Sequence, residues 1–131
     1  MLVDRTPDEG PTLREETAEL DDDAVFDMAN LTETQTGISG IATITTELGR
    51  HGPKMRFAPR LGKGEPTAAM SIASEPSILF SGLSGPDLDR LTKPVRAWVR
   101  LNRETLLEYW QVGAWWTIDE VQTFVARLKR V

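Results

Sequence analysis

Residues 38–59 read ISGIATITTELGRHGPKMRFAP, and two runs of alternating apolar and polar side chains lie within them. In the first run, one side holds Ala42, Ile44, Thr46 and Leu48. In the second run, KMRFAP, Met55 and Phe57 alternate with Lys54 and Arg56. A period of two is typical of a half-buried strand. The segment therefore predicts two antiparallel strands joined by a glycine- and proline-rich turn, and the second strand has an apolar inner face and a basic outer face.

The next part of the chain predicts a third strand. TAAMSIAS, residues 67–74, has an inner face that holds Ala68, Met70 and Ile72. SILF, at residues 77–80, leaves room for a few more paired residues. Beyond residue 84 the apolar period becomes that of a helix.

The C-terminal part predicts two helices. The stripe of the first consists of Leu88, Leu91, Val95, Trp98, Val99, Asn102, Leu106, Tyr109 and Trp110. Ser84 is expected to cap this helix, Pro94 to start or kink its main part, and Gly113 to end it in the left-handed conformation. The second helix begins with a Thr117–Glu120 capping box, flanked by Trp116 and Val121 as a hydrophobic staple.

Strands followed by helices predict an α+β fold. We expect a small antiparallel sheet of about three strands covered by two C-terminal helices, because a sheet of that size needs a cover to be stable. Residues 26–131 are predicted to form a single domain. Residues 1–25 are predicted to be a disordered acidic leader, since they carry little apolar surface to offset the entropy of ordering; folding on the basic body or on a partner stays open.

Charge is divided unevenly along the chain. Residues 1–33 hold eleven acids and two bases, whereas the remaining 98 residues hold nine acids and thirteen bases, within a net charge of −5. Residues 50–63 carry five bases and no acid. Such segregation indicates a body that attracts an anionic partner and a leader that shields it.

Composition excludes several kinds of site and targeting signal. With no cysteine in 131 residues, disulfides, thiolate metal sites and thiol nucleophiles are ruled out. The first residues lack the pattern of a signal peptide, and no apolar run approaches the 18 residues of a membrane span. The chain is therefore expected to be cytoplasmic, with no membrane partner. No phosphate-loop or dinucleotide motif is present, and we expect no cofactor and no metal.

The candidate binding surface combines the predicted hairpin with one side of the first long helix. Glycines allow close backbone approach, and the neighbouring bases neutralise phosphate or carboxylate oxygens. The hairpin charges alternatively serve solubility and protection of a sheet edge. The proposed contacts to an anionic partner are Arg50, His51, Lys54, Arg56, Arg60, Lys63, Arg96, Arg100 and Arg103.

The aromatic residues concentrate between residues 98 and 116. All four tryptophans and the one tyrosine lie there, and rings of this size are expected to dominate the core. Trp115 and Trp116 follow a tight turn, so one of them is expected to remain partly exposed in an aromatic patch. Asn102 interrupts the apolar stripe and is expected to tie the helix to strand ends or a loop.

Several of these residues resemble a group of small bacterial proteins of unknown function, many of them from alphaproteobacteria. The resemblance covers about residues 26–131. Its motifs are Asn30-Leu31, Thr36-Gly37, the turn Arg50-His51-Gly52-Pro53-Lys54, and the run from Leu101-Asn102 through Leu106-Leu107 to Tyr109-Trp110. A looser similarity runs to a wider family with a histidine- and proline-rich hairpin, some members of which resemble parts of toxin–antitoxin-like operons. The similarity implies binding to protein or nucleic acid and implies no particular activity.

The sequence thus favours a non-catalytic interaction module. Its basic surface is predicted to engage an unknown acidic protein or nucleic acid, in competition with its own leader. Alternatives are a homo-oligomeric structural protein, including a homodimer, an acidic effector whose leader mimics nucleic acid, and an enzyme. The enzyme hypothesis depends on His51, the single histidine, with a carboxylate such as Glu47 or Glu65.

Overall fold

A computed structural model of the protein describes residues 28–46 and 52–131, and two short segments, Asp4–Arg5 and Pro7–Asp8, that pair with each other in parallel. The main sheet consists of β1 (Met28–Leu31), β2 (Ile41–Thr45), β3 (Lys54–Ala58), β4 (Ala68–Ser71) and β5 (Ile78–Ser81). The helices are α1 (Glu33–Thr36), α2 (Gly85–Val112) and α3 (Ile118–Arg127), and a 3-10 turn spans Gly113–Trp115. The rest of the predicted leader lies outside the described residues.

The five strands of the main sheet form an antiparallel meander, in which each strand pairs with its neighbour in sequence. The α+β class and the antiparallel sheet are confirmed, and the sheet has five strands where the sequence predicts about three. The additional strands, β1 and β5, are the two edges of the sheet, and each has only four residues. β5 corresponds to SILF, which the sequence indicates only as a few further paired residues, whereas no alternating run indicates β1.

Both long helices pack against one face of the sheet. The predicted alternation is confirmed, because the side chains at alternate positions of β2, β3 and β4 are buried in contact with the helices. The sheet contributes Leu31, Ala42, Ile44, Met55, Phe57, Ala68 and Met70 to this core, and the helices contribute Leu91, Val95, Trp98, Val99, Leu106, Tyr109 and Phe124. Each large side chain contributes roughly 1.5–3 kcal/mol when fully buried, so this face fixes the helices on the sheet.

The predicted helix starts are confirmed. The Ser84 hydroxyl accepts a hydrogen bond from the Asp87 backbone at 3.2 Å. At α3, the Thr117 hydroxyl accepts from the Glu120 N–H at 3.1 Å, while the Glu120 carboxylate accepts from the Thr117 N–H at 2.8 Å. The two reciprocal bonds satisfy amide groups that have no partner within the helix, and so they define where α3 begins.

Two expectations about the end and course of α2 are corrected. Gly113 has φ −60° and ψ −27°, in the right-handed region, so it does not end the helix in the left-handed conformation. Glycine fits there because a Cβ atom would lie 2.7 Å from the Tyr109 ring. Pro94 does not start the main helix, since α2 runs through it from Gly85, and the non-helical backbone lies at Asn102 instead, with φ −113° and ψ 16°.

Asn102 joins α2 to the C-terminal segment. Its buried amide Nδ2 donates to the Trp98 carbonyl at 3.0 Å and to the Lys129 carbonyl at 2.9 Å. Its Oδ1 accepts from the Lys129 N–H at 2.8 Å. The expected structural role of this polar residue in an apolar stripe is therefore confirmed, and its partner is the segment that follows α3.

Replacing Asn102 is expected to destabilise the fold strongly. Asn102→Ala removes three hydrogen bonds, one of them buried, and leaves the Lys129 N–H and carbonyl without these partners, which costs about 2–3 kcal/mol in free energy of unfolding. The matched control is Asn30→Ala, which removes one exposed bond from the Thr43 hydroxyl and costs less than about 1 kcal/mol. Urea unfolding followed by circular dichroism measures both values, and equal costs would contradict the structural role of Asn102.

Candidate functional site

The face of the sheet opposite the helices carries a row of side chains in register. The row crosses all five strands and consists of Asn30, Thr43, Arg56, Ala69 and Phe80. Among residues 28–46 and 52–131, the helices pack against the opposite face of the sheet, where the core lies. The face that carries the row is called the open face below.

Arg56 and Phe80 approach each other across the strand between them. The Arg56 guanidinium carbon lies 5.0 Å from the centroid of the Phe80 ring. Their strands are separated by β4, so the two backbones are roughly 10 Å apart and both side chains extend over Ala69. Ala69 is fully buried although it lies on the open face. The pair therefore forms a small ordered surface of cation and ring.

An irregularity in β5 brings a second apolar residue to this surface. Ala69 pairs with Phe80 whereas Met70 pairs with Ile78, so Leu79 is the extra residue of a bulge. Leu79 is 51% exposed and Phe80 is 43% exposed. Two consecutive large side chains therefore line the same part of the open face, where regular alternation would have placed them on opposite faces.

A groove of about 650 Å³ begins at this pair and extends to the start of β3. Its polar and charged lining consists of Lys54, Arg56 and Ser71, and its remaining lining consists of Gly52, Pro53, Ile72, Ala73, Leu79 and Phe80. No acidic side chain is among these lining residues. The groove thus combines two cations with an apolar wall, a lining suited to an anionic partner that also carries apolar or aromatic groups.

The surroundings of Lys54 disfavour its charged form. Burial, and secondarily the charge of Arg56, lower the pKa of Lys54 below its ordinary value. The ring of Trp110, 5.5 Å from the ammonium nitrogen, acts in the opposite direction because its π face attracts a cation. A negative group bound in the groove would favour the charged form of Lys54 and raise its pKa again.

One wall of the groove is held by arginines from α2. Arg96 Nε donates to the Pro76 carbonyl at 3.1 Å, and Arg100 contacts the Glu75 carboxylate at 3.3 Å. Both partners belong to the turn between β4 and β5. The Ser71 hydroxyl also accepts from the Ser77 N–H within this turn at 3.0 Å. Arg96 and Arg100 therefore position the groove wall, and part of their hydrogen-bonding capacity is used in doing so.

The other predicted basic residues lie elsewhere or outside the described part of the chain. Arg60 pairs with Glu65 at 3.0 Å in the connection after β3, at the opposite end of that strand from Lys54, and Lys63 is exposed in the same connection. Arg103 lies next to Asn102 on α2. Arg50 and His51 lie outside the described residues. The structure thus brings Lys54 and Arg56 together in the groove, whereas Arg96 and Arg100 contact the turn between β4 and β5.

The two tryptophans of the predicted aromatic patch have different environments. Trp115 is 84% exposed. Trp116 packs against the core, with its ring centroid 5.3 Å from that of Phe124 and 6.0 Å from that of Tyr109. The expectation that one of the pair remains exposed is confirmed, and the exposed ring is that of Trp115.

The part of the chain that the structure describes lacks two kinds of feature. No group of three or more histidine, cysteine or acidic side chains is placed to hold a metal ion within that part. None of its helices is both long and apolar enough to cross a membrane. Glu65, one of the carboxylates considered for an enzyme, is paired with Arg60, and Glu47 lies outside the described residues.

Comparison of the chain with protein-family models, with curated proteins and with solved structures found no match.

Leu79 and Phe80 are site residues that sequence reasoning missed. SILF was recognised only as a short continuation of the sheet, and nothing in those four letters reveals a bulge. The sequence did contain one indication of an apolar surface, because three large apolar residues follow one another in a four-residue strand. Strict alternation buries at most two of them, so at least one is expected on the open face.

The lowered pKa of Lys54 predicts a pH dependence of stability. Between the lowered pKa in the folded chain and the ordinary pKa near 10.5, the unfolded chain binds more protons, so the free energy of unfolding rises with pH in that window. Lys54→Met is expected to lack this rise. Urea unfolding at a series of pH values up to about 10.5 measures it, with the exposed-site variant Lys63→Met as control; identical pH profiles of the two variants would exclude a special environment for Lys54.

Proposed function

We propose that this protein is a non-catalytic binding module that holds an anionic partner, an acidic protein or a nucleic acid, in the groove on the open face of its sheet. The observation that carries the proposal is the pairing of Lys54 and Arg56 with exposed Leu79 and Phe80, without an acid among the lining residues. Phosphate or carboxylate groups contact the two cations, and bases or apolar side chains of the partner pack on the apolar wall.

The arrangement of Arg56 supports binding to a preformed surface. Its guanidinium is held over the Phe80 ring, and no ion pair involving Arg56 occurs among the described residues. A cation that is ordered but not neutralised loses less conformational entropy on binding an anion than a free surface side chain does. This distinguishes Arg56 from Arg60, whose charge is paired with Glu65.

The acidic leader is the second component of the proposal. Residues 1–25 carry nine acids and two bases, so they repel an anionic partner and are attracted to the groove. The leader then acts as a competitor that weakens binding in the intact chain. Electrostatic competition of this kind diminishes as salt screens the charges.

Removing the two groove cations is expected to weaken binding. We expect Lys54→Gln combined with Arg56→Gln to lower affinity at least tenfold and to flatten its salt dependence, because two charge-assisted contacts are lost. Fluorescence anisotropy measures the affinity, with a labelled single-stranded oligonucleotide and a labelled glutamate-rich peptide as separate probes between 50 and 200 mM salt.

The matched control for this experiment is Arg60→Gln combined with Lys63→Gln. It removes the same charge from the opposite end of β3 and is expected to change affinity by less than about threefold, since exposed charges contribute little individually. Equal weakening by both double variants would mean that overall charge, rather than the groove, governs binding. The probe that binds more tightly identifies the class of partner.

Deleting residues 1–25 is expected to tighten binding several-fold at low salt and by less at high salt, because an intramolecular competitor is removed. The same anisotropy assay measures the change, and circular dichroism verifies that the shortened chain is folded. A full-length variant with Asp21, Asp22 and Asp23 replaced by asparagine is expected to shift affinity in the same direction. Loss of activity on truncation would instead indicate that the leader is the effector.

The homo-oligomeric alternative is addressed by the mass of the full chain in multi-angle light scattering. A monomer mass over the range of concentrations used in the binding assay would exclude it.

A further inference from the structure

A second basic pocket lies in the helical layer, where the helical backbone of α2 is interrupted. It has a volume of about 340 Å³ and lies between α2 and the end of α3. Four cationic side chains and one carboxylate line it: Arg100, Arg103, Arg127, Lys129 and Glu104. The groove of the open face shares none of these residues. The pocket therefore has its own lining, although Arg100 also contacts Glu75 in the turn that borders the groove.

The position of the pocket follows from the tether at Asn102. The non-helical backbone angles there interrupt the regular surface of α2, and the two hydrogen bonds between Asn102 and the Lys129 backbone hold the C-terminal segment beside the interruption. Cations from two distant parts of the sequence are thereby brought to one concavity. Because the tether uses only the backbone of Lys129, its ammonium group is left available.

Much of the hydrogen-bonding capacity of these cations is not used by the described part of the protein. Arg103 Nε is buried and has no hydrogen-bond acceptor there. Arg100 and Arg127 each make one contact of 3.3 Å, to Glu75 and Glu108 respectively. A guanidinium has five N–H donors, so most of theirs remain unpaired.

We infer that this pocket binds a small phosphate-bearing molecule. Guanidinium groups match the oxygens of a phosphoryl group in a two-pronged arrangement, and three of them line this pocket together with the Lys129 ammonium group. A volume of 340 Å³ is near the lower end for ligand sites, which suits a small molecule carrying one or two phosphate groups. The inference goes beyond the proposed function, because the site and the class of ligand are different.

Isothermal titration calorimetry of the full chain tests the inference, with pyrophosphate, orthophosphate and citrate as probes at constant ionic strength. We expect one-site binding of pyrophosphate and weaker binding of citrate, because citrate spreads its three carboxylates over a bulkier carbon skeleton in a pocket of about 340 Å³. Orthophosphate distinguishes a site for one phosphate from a site for two. Arg103→Met and Lys129→Gln are each expected to weaken pyrophosphate binding about tenfold, and Arg103→Lys several-fold, because it keeps the charge but loses the fork.

Two controls make the outcome specific. Arg90→Gln removes a cation from the same helix, where Arg90 is paired with Asp87, and is expected to leave pyrophosphate binding unchanged. Lys54→Gln combined with Arg56→Gln is expected to do the same, although it is expected to weaken binding in the groove at least tenfold. Absence of pyrophosphate binding, citrate binding as tight as pyrophosphate, or equal weakening by Arg90→Gln would overturn the inference. If Arg103→Met does not fold, the exposed-site variant Lys129→Gln decides.

Discussion

The structure depends on the burial of one face of the sheet under α2 and α3. Apolar side chains alternate with polar ones along β2 and β3, so burying Ile44, Met55 and Phe57 leaves the intervening Thr43, Lys54 and Arg56 on the other face. A shift in register of one residue would move these cations into the core, which is energetically prohibitive without partners. The core therefore fixes the position of the basic groove, although it shares few side chains with it.

The Asn102 tether connects this core to the C-terminal end of the chain. Beyond Lys129 the chain continues to Val131, whose backbone N–H donates to the Thr36 carbonyl at 2.9 Å. A Cβ atom on Gly37 would lie 2.2 Å from the Val131 carbonyl oxygen, so glycine is required there for this close approach as well as for its φ of +84°. The tail thus connects the interruption of α2 to the β1–β2 connection, and a single buried amide directs its path.

The parts of the fold that the sequence predicted are those governed by periodicity over several residues and by local capping. The alternation in β2 and β3 and the Thr117–Glu120 capping box depend on neighbours in sequence, and the structure confirms them. The bulge at Leu79 depends on pairing with β4, and the right-handed conformation of Gly113 depends on the ring of Tyr109. Such features are decided by tertiary contacts, which no local pattern contains. For the same reason the sequence placed Lys54 and Arg56 together but did not reveal that Phe80 would lie beside them.

The two cations of the groove, Lys54 and Arg56, have different environments. Lys54 is charged at a cost, because burial and its cationic neighbour lower its pKa, whereas the Arg56 guanidinium lies over the Phe80 ring. A fold selected only for stability would gain by replacing Lys54 with an apolar residue over Trp110. An anionic partner removes that cost, since its charge favours protonation of Lys54 and at the same time satisfies the donors of Arg56. Under the proposed function, the free energy that the fold forgoes at Lys54 would be recovered on binding, within a chain of net negative charge.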